Sequence, residues 1–241
     1  MSESAPFRDG KAPFKIASRE EPCETYYKIY GDHHASTPVI VLHGGPGSGH
    51  EYVEPFSDLW TSFGIPVIFY DQIGCAQSTH LKETKGDHSF WQPGLFVAEL
   101  DNLIHFLGLD DTINEHGYHI LGQSWGGSLA VEFATRQPQG LRRLILAGAN
   151  AAFPLLRQNL WDLLKQLPVE DQGAIEEAAK TKTFSGKPYL ESMHNFLSTF
   201  LCRGRPFPPP ELAADIANNT ADSTVRMTMY ASSILPSIPV H

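Results

Sequence analysis

Three short apolar runs, each ending in a loop of unusual chemistry, most constrain what this chain can fold into. Pro38-Val-Ile-Val-Leu42 runs into His43-Gly-Gly-Pro-Gly47, and Pro66-Val-Ile-Phe-Tyr70 stops at Asp71-Gln-Ile-Gly74. Tyr118-His-Ile-Leu121 leads into Gly122-Gln-Ser-Trp-Gly-Gly127. Apolar runs of this length, rich in β-branched residues, suit strands buried on both faces, as in a parallel sheet. Helical spacing lies between and after them. It is predicted over Glu51–Ser62, over Leu95–Leu107 and over Trp125–Arg136, and Leu141–Ala147 reads as a further strand. Phe14–Ile16 and Thr25–Tyr30 suit an antiparallel pair entering the sheet. Alternating strands and helices predict an α/β fold with a mostly parallel sheet wrapped by helices. Chemistry in such sheets sits at the carboxyl ends of the strands, so the three loops are expected on one rim.

The pattern changes after Asn150. Leucines at 156, 160, 163, 164 and 167 mark a helix that ends at Pro168, and 171–180 and 189–202 read as two more. Pro206-Phe-Pro-Pro-Pro210 is an extended linker, followed by a predicted helix over Glu211–Asn218. This organisation gives a core over residues 1–150, an all-helical cap inserted over 151–230, and a tail over 231–241.

Composition narrows the function. With 41% hydrophobic and 19% charged residues, the 241-residue chain is ordinary for a globular protein. A net charge of −9 and the lack of a Lys/Arg cluster argue against a nucleic-acid partner. Cys23, Cys75 and Cys202 are odd in number and widely spaced, which suits free thiols in a reducing compartment rather than a zinc site. The N-terminal stretch lacks the apolar region of a secretory signal, and no segment has membrane-spanning length. The expected location is cytoplasmic.

Gly122-Gln-Ser-Trp-Gly126 fits the G-x-S-x-G pattern between a predicted strand and a predicted helix. There a serine sits on a strained turn, its Oγ raised at a helix N-terminus whose free N–H groups favour developing negative charge. Ser124 is the candidate nucleophile; the bland alternative is a tight turn with an inert serine. The successive glycines of His43–Gly47 let backbone approach a ligand, and Pro46 stiffens the loop. An oxyanion loop is the functional reading, with the N–H of Gly45, or of Gly44, joining that of Trp125. His43 is read as a packed, hydrogen-bonded residue rather than a catalyst.

Together HGGPG, Tyr70-Asp-Gln-Ile-Gly74 and GQSWGGSLA stand at the spacing and order of the proline iminopeptidase family. The chain resembles these α/β-hydrolase-fold serine aminopeptidases most specifically over residues 38–150. The resemblance implies the α/β-hydrolase fold with a helical cap insertion. It also implies Ser124 as nucleophile, Gly45 (or Gly44) and Trp125 as oxyanion donors, and no metal or cofactor. The implied partner is a small peptide or amino-acid amide, with no membrane involved. Cap carboxylates in the family hold the substrate's free amine, and Glu191 stands at a position similar to one of them. Ala76 departs from the pattern, since the family usually has glycine there.

In this fold the triad runs Ser, then Asp or Glu, then His along the chain. Downstream of Ser124 the histidines are His194, within a predicted cap helix, and His241; Asp215 and Asp222 also fall in the cap pattern. None follows a predicted strand. Resemblance to the family stops at Tyr230, so the fold's last strands and helices, and with them the triad acid and base, are expected to be missing. In one protease, loss of the histidine alone cost on the order of a million-fold in kcat. Leu141–Ala147 is then expected to be an exposed apolar edge strand. The leading reading is a serine hydrolase that removes N-terminal, proline-type residues from peptides through an acyl-enzyme. Its alternatives are an esterase or amidase of the same fold, and a catalytically dead binding protein.

Overall fold

A computed structural model describes residues 6–110, 116–150, 152–181 and 183–230. Six strands form one sheet: β1 (Phe7–Phe14), β2 (Cys23–Tyr30), β3 (Val39–Leu42), β4 (Val67–Tyr70), β5 (Tyr118–Gln123) and β6 (Leu141–Ala147). Their order is β1-β2-β4-β3-β5-β6. β1 pairs antiparallel with β2 and β2 with β4, whereas β3, β4, β5 and β6 run parallel to one another. The N-terminal pair is thus present as expected, with β1 earlier than Phe14–Ile16. Pro13 is tolerated in β1 because that strand is an edge.

Every residue of β3 and β4 is buried, which is why both strands read as unbroken apolar runs. Below the sheet, α2 (Pro93–Phe106) and α3 (Trp125–Thr135) press Phe96, Leu100, Leu103, Leu129 and Phe133 into the main core. A second cluster on the opposite face gathers Val41, Val67 and Phe69 with Val53 and Trp60. The helix expected over Glu51–Ser62 is divided. Residues Glu51–Ser57 form a 3-10 turn containing Pro55, and α1 (Asp58–Phe63) ends on the left-handed Gly64. Proline removes the N–H that an α-helix would need at that point.

Strand register aligns the rim. Leu42 pairs with Tyr70 on one side and with Gly122 on the other, so the three loops leave the sheet at neighbouring positions. At the far edge, β6 is exposed over most of its length. Leu144, Ile145 and Leu146 are 36%, 39% and 47% accessible, and among the described residues no strand pairs with its outer side.

Contacts divide the chain into two units. Among the described residues, the first comprises those up to Asn150 together with Ala214–Met229, and the second those of 152–213 together with Tyr230. The expected cap range of 151–230 is therefore split. Its last part, in α7 (Pro210–Ala221) and α8 (Thr224–Tyr230), belongs mostly with the sheet. α8 arises where no helix was predicted. The expected tail over 231–241 lies outside the described residues.

The second unit contains α4 (Phe153–Leu164), α5 (Val169–Thr181) and α6 (Lys187–Phe196), the last continuing as a π-helical turn over Leu197–Leu201. Leu164, Leu167 and Ile175 form its small core with Trp161, Met193 and Phe196 around them. Asp171 on α5 accepts hydrogen bonds from Ser192 Oγ at 2.7 Å and Asn195 Nδ2 at 3.1 Å, tying α5 to α6.

Candidate active site

Ser124 joins β5 to α3 at φ 52° and ψ −117°, a conformation that a non-glycine residue rarely holds without support. The support is local and steric. Its N–H donates to Ala147 O at 3.0 Å, and its own carbonyl accepts the Gly127 N–H at 3.0 Å. A Cβ on Gly122 would stand 2.3 Å from Gly126 O, and one on Gly126 would stand 2.2 Å from Leu42 O. Backbone fills both places, so side chains at 122 and 126 are excluded. The glycines of the pattern let the turn close against β3.

Trp125 opens α3, so its N–H is among those without an intrahelical acceptor. Facing the elbow across the rim is the loop after β3. Gly45 takes φ 112°, a backbone region that disfavours side chains. Its N–H has no acceptor among the described residues. The Gly44 N–H, considered above as an alternative donor, is instead engaged by Tyr52 Oη, which donates its own proton to Gln123 Oε1 at 2.5 Å. Gly44 thus fixes the loop, and Gly45 is left as the free amide.

His43 is fully buried and bonded on both ring nitrogens. Nε2 accepts the Gln72 N–H at 3.0 Å, which leaves Nδ1 as the protonated nitrogen beside Gly44 O at 2.9 Å. Burial pushes its pKa down, and the neutral tautomer serves structure. Gln72 completes the link: its Nε2 donates to His43 O at 2.9 Å, and its Oε1 accepts Trp125 Nε1–H at 3.0 Å. One buried amide therefore joins all three loops. Tyr52 and Gln72 were missed as site residues in the sequence. The only signal was a glutamine in each of two loops that otherwise turn on glycine.

Asp71, wholly buried, accepts the His50 N–H at 2.8 Å, His50 Nδ1–H at 2.9 Å and the Gln77 N–H at 3.1 Å. Burial opposes charge on His50, yet the Asp71 bond and charge, with Glu51 nearby, outweigh it and raise its pKa. His50, Glu51 and Asp71 bring three possible ligand atoms within 4.8 Å of one another. Hydrogen bonds already engage both Asp71 oxygens and Glu51 Oε1.

No histidine is hydrogen-bonded to Ser124 among the described residues. Downstream, His194 lies on α6 against the Phe207 ring, and His241 is outside the described residues. Asp222 binds His80 Nδ1 at 2.5 Å, while His80 Nε2 meets Ala76 O at 2.9 Å. Asp215 faces Ser48 and Gly49. Glu191 lies on α6 with a side chain 66% accessible, paired with Lys187 one turn away at 3.6 Å. It borders an open depression with Leu190, His194 and Asn195.

Residues 37–239 match the alpha/beta hydrolase fold family. A solved proline iminopeptidase from Mycobacterium smegmatis is 36% identical with a TM-score of 0.75, over 91% of this chain and 70% of that one. This chain belongs to the proline iminopeptidase family of α/β-hydrolases. The crystal structure of VinJ is as similar in sequence, at 36% identity, and matches 90% of this chain and 70% of its own with a TM-score of 0.81. Among curated relatives, the proline iminopeptidase of Lactiplantibacillus plantarum is 38% identical over 73% of this chain and 58% of its own. That of Lactobacillus helveticus is 35% identical over 79% and 60%. The chain thus spans about three fifths of the length of these curated relatives. Its α/β-hydrolase fold carries the strand-turn-helix elbow at Ser124 between β5 and α3. No helix among the described residues is long and apolar enough to cross a membrane.

Proposed function

We propose that the protein is built as a serine aminopeptidase, with Ser124 attacking the carbonyl carbon of an N-terminal residue, proline above all. The acyl-enzyme would form at Oγ, with the carbonyl oxygen held by the Gly45 and Trp125 N–H groups, as the peptide C–N bond breaks and the shortened peptide leaves as an amine carrying the proton lost from Oγ. Water would then hydrolyse the ester, releasing the residue as free acid and restoring the serine hydroxyl. No metal or cofactor enters this reaction, and the substrate is a small peptide or amino-acid amide. The observation that carries the reading is the strained φ of Ser124, held between the Ala147 carbonyl and the two glycines. The names of the relatives supply the substrate class.

Orienting donors of this kind contribute on the order of 10²–10³ in kcat each. They do not deprotonate serine, and that step needs a base. A second reading is a ligand-binding protein without turnover, in which the elbow and the loop facing it hold a peptide that is not cleaved. Glu191, proposed from the resemblance as the amine's partner, is solvated and already paired with Lys187.

Hydrolysis of a proline arylamide and of a simple acyl ester by the 241-residue protein and by Ser124→Ala separates these readings. Arylamide turnover lost in the variant supports the peptidase, and preference for the ester supports an esterase. No turnover of either, with proline peptides still binding, supports the second reading. Turnover that survives Ser124→Ala would overturn the assignment of the nucleophile.

A further inference from the structure

We propose that Asp215 is a positioning residue for the oxyanion loop, holding the backbone from which Gly45 presents its N–H. This rests on the reading of Gly45 as an oxyanion donor.

After Leu42 the chain belongs to neither helix nor strand until the 3-10 turn at Glu51. Gly45 and Gly47 both have positive φ, 112° and 99°, around Pro46. Such a stretch has little local structure to maintain it, so its shape is set by its anchors. Tyr52 grips the near end at the Gly44 N–H. The far end is gripped by α7, which reaches it from 167 residues further along the chain, and by α8 beyond it.

Asp215 is 6% accessible. Its Oδ1 accepts the Gly49 N–H at 3.0 Å, and its Oδ2 accepts Ser48 Oγ at 3.4 Å and Asn219 Nδ2 at 3.3 Å. One turn on, Asn218 Nδ2 donates to Glu51 Oε1 at 2.7 Å. Gly47 lies so close to Arg226 that a Cβ there would stand 2.9 Å from its backbone N. Residues 47, 48, 49 and 51 are thus each met by α7 or α8.

The loop folds back on itself between its anchors. A Cβ on Gly45 would lie 2.5 Å from Gly47 N and 2.7 Å from Ser48 N, so the donor's backbone lies close to Ser48, whose hydroxyl Asp215 holds. A shift of Ser48 is therefore expected to be transmitted to Gly45. A buried carboxylate is costly where an apolar group would pack, but its bonds are charge-assisted and directional. Direction is what a backbone donor aimed at a developing oxyanion requires.

Hydrogen exchange of the amides in residues 44–50, and the rate at which a fluorophosphonate probe modifies Ser124, test this in the 241-residue protein. Asp215→Ala is expected to speed exchange in that loop about tenfold or more while β3, β4 and β5 stay protected. It should slow Ser124 modification by a similar factor. Asp215→Asn, which retains an acceptor oxygen, should restore part of both. Unchanged loop exchange would overturn the proposal, and so would equal acceleration across the strands, because Asp215 would then only support packing. Faster loop exchange without any change in modification rate would also overturn it, by severing the loop from the oxyanion site. If the probe fails to modify the unsubstituted protein, the reading of Ser124 fails and the oxyanion role of Asp215 is overturned with it; faster exchange confined to the loop would then show Asp215 only as an anchor of residues 44–50.

Discussion

At the scale of single residues, the site depends on atoms that are missing as much as on those present. Gly126 has Leu42 O where its Cβ would be, and that oxygen belongs to a fully buried strand. Gly126→Ala is expected to cost about 3 kcal/mol, because backbone rather than a flexible side chain must give way. For a chain of this size that lowers Tm by roughly 6–12 °C, and a thermal melt checks it. An unchanged melt would mean that the turn can open without loss. His43 carries the complementary lesson. A histidine beside a glycine-rich loop invites a catalytic reading, but both of its nitrogens hold loops in place and burial keeps it neutral.

At the scale of elements, the strands were legible because burial on both faces writes an unbroken apolar run. β3 and β4 match that signature residue for residue. β6 carries a similar run, Leu144-Ile-Leu146, yet is exposed, because a run records what a strand is suited to meet and not what it meets. An open, apolar edge strand offers unpaired N–H and C=O groups to other chains. The 241-residue protein is accordingly expected to self-associate, and Ile145→Lys to reduce this. Light scattering after gel filtration reads the outcome. A monodisperse, cooperatively melting unsubstituted monomer would count against it. The helices after Asn150 were read with less precision. α7 runs beyond the predicted Glu211–Asn218, and α8 was not foreseen, since its seven residues offer a single i,i+4 apolar pair, Val225 and Met229, too short a pattern to mark a helix.

At the scale of the whole molecule, a buried acid links the pH of the solution to the stability of the fold. Glu99 on α2 is inaccessible and accepts Thr25 Oγ1–H at 2.6 Å and the Ile73 N–H at 2.9 Å, joining helix, sheet and the loop after β4. Burial pushes its pKa up to about 8, against the two hydrogen bonds that lower it. The folded protein therefore holds a proton that the unfolded chain releases at lower pH. Its contribution to stability is fully present below the unfolded glutamate pKa and is lost as pH rises through about 8. Stability is expected to fall between pH 5 and 9, and Glu99→Gln to flatten that slope, as denaturant melts across the range would show. Equal slopes in the two proteins would exclude Glu99 as the source.

The division between sequence and tertiary structure follows from distance along the chain. By itself the sequence determined the parallel strands, the elbow at Ser124 and the glycine-rich loop facing it. Each is encoded by neighbours in the chain: an apolar run, a strained turn between two glycines, a proline between glycines. Only the tertiary structure decided which N–H groups are free and which side chains hold the loops. Tyr52 reaches Gln123, Gln72 reaches both His43 and Trp125, and Asp215 reaches back to Ser48 and Gly49. Those bonds depend on a sheet register that brings Leu42, Tyr70 and Gly122 level, and on two late helices returning to the rim. A hydrogen bond reaches about 3 Å, and such proximity between residues far apart in the chain exists only once the sheet has formed.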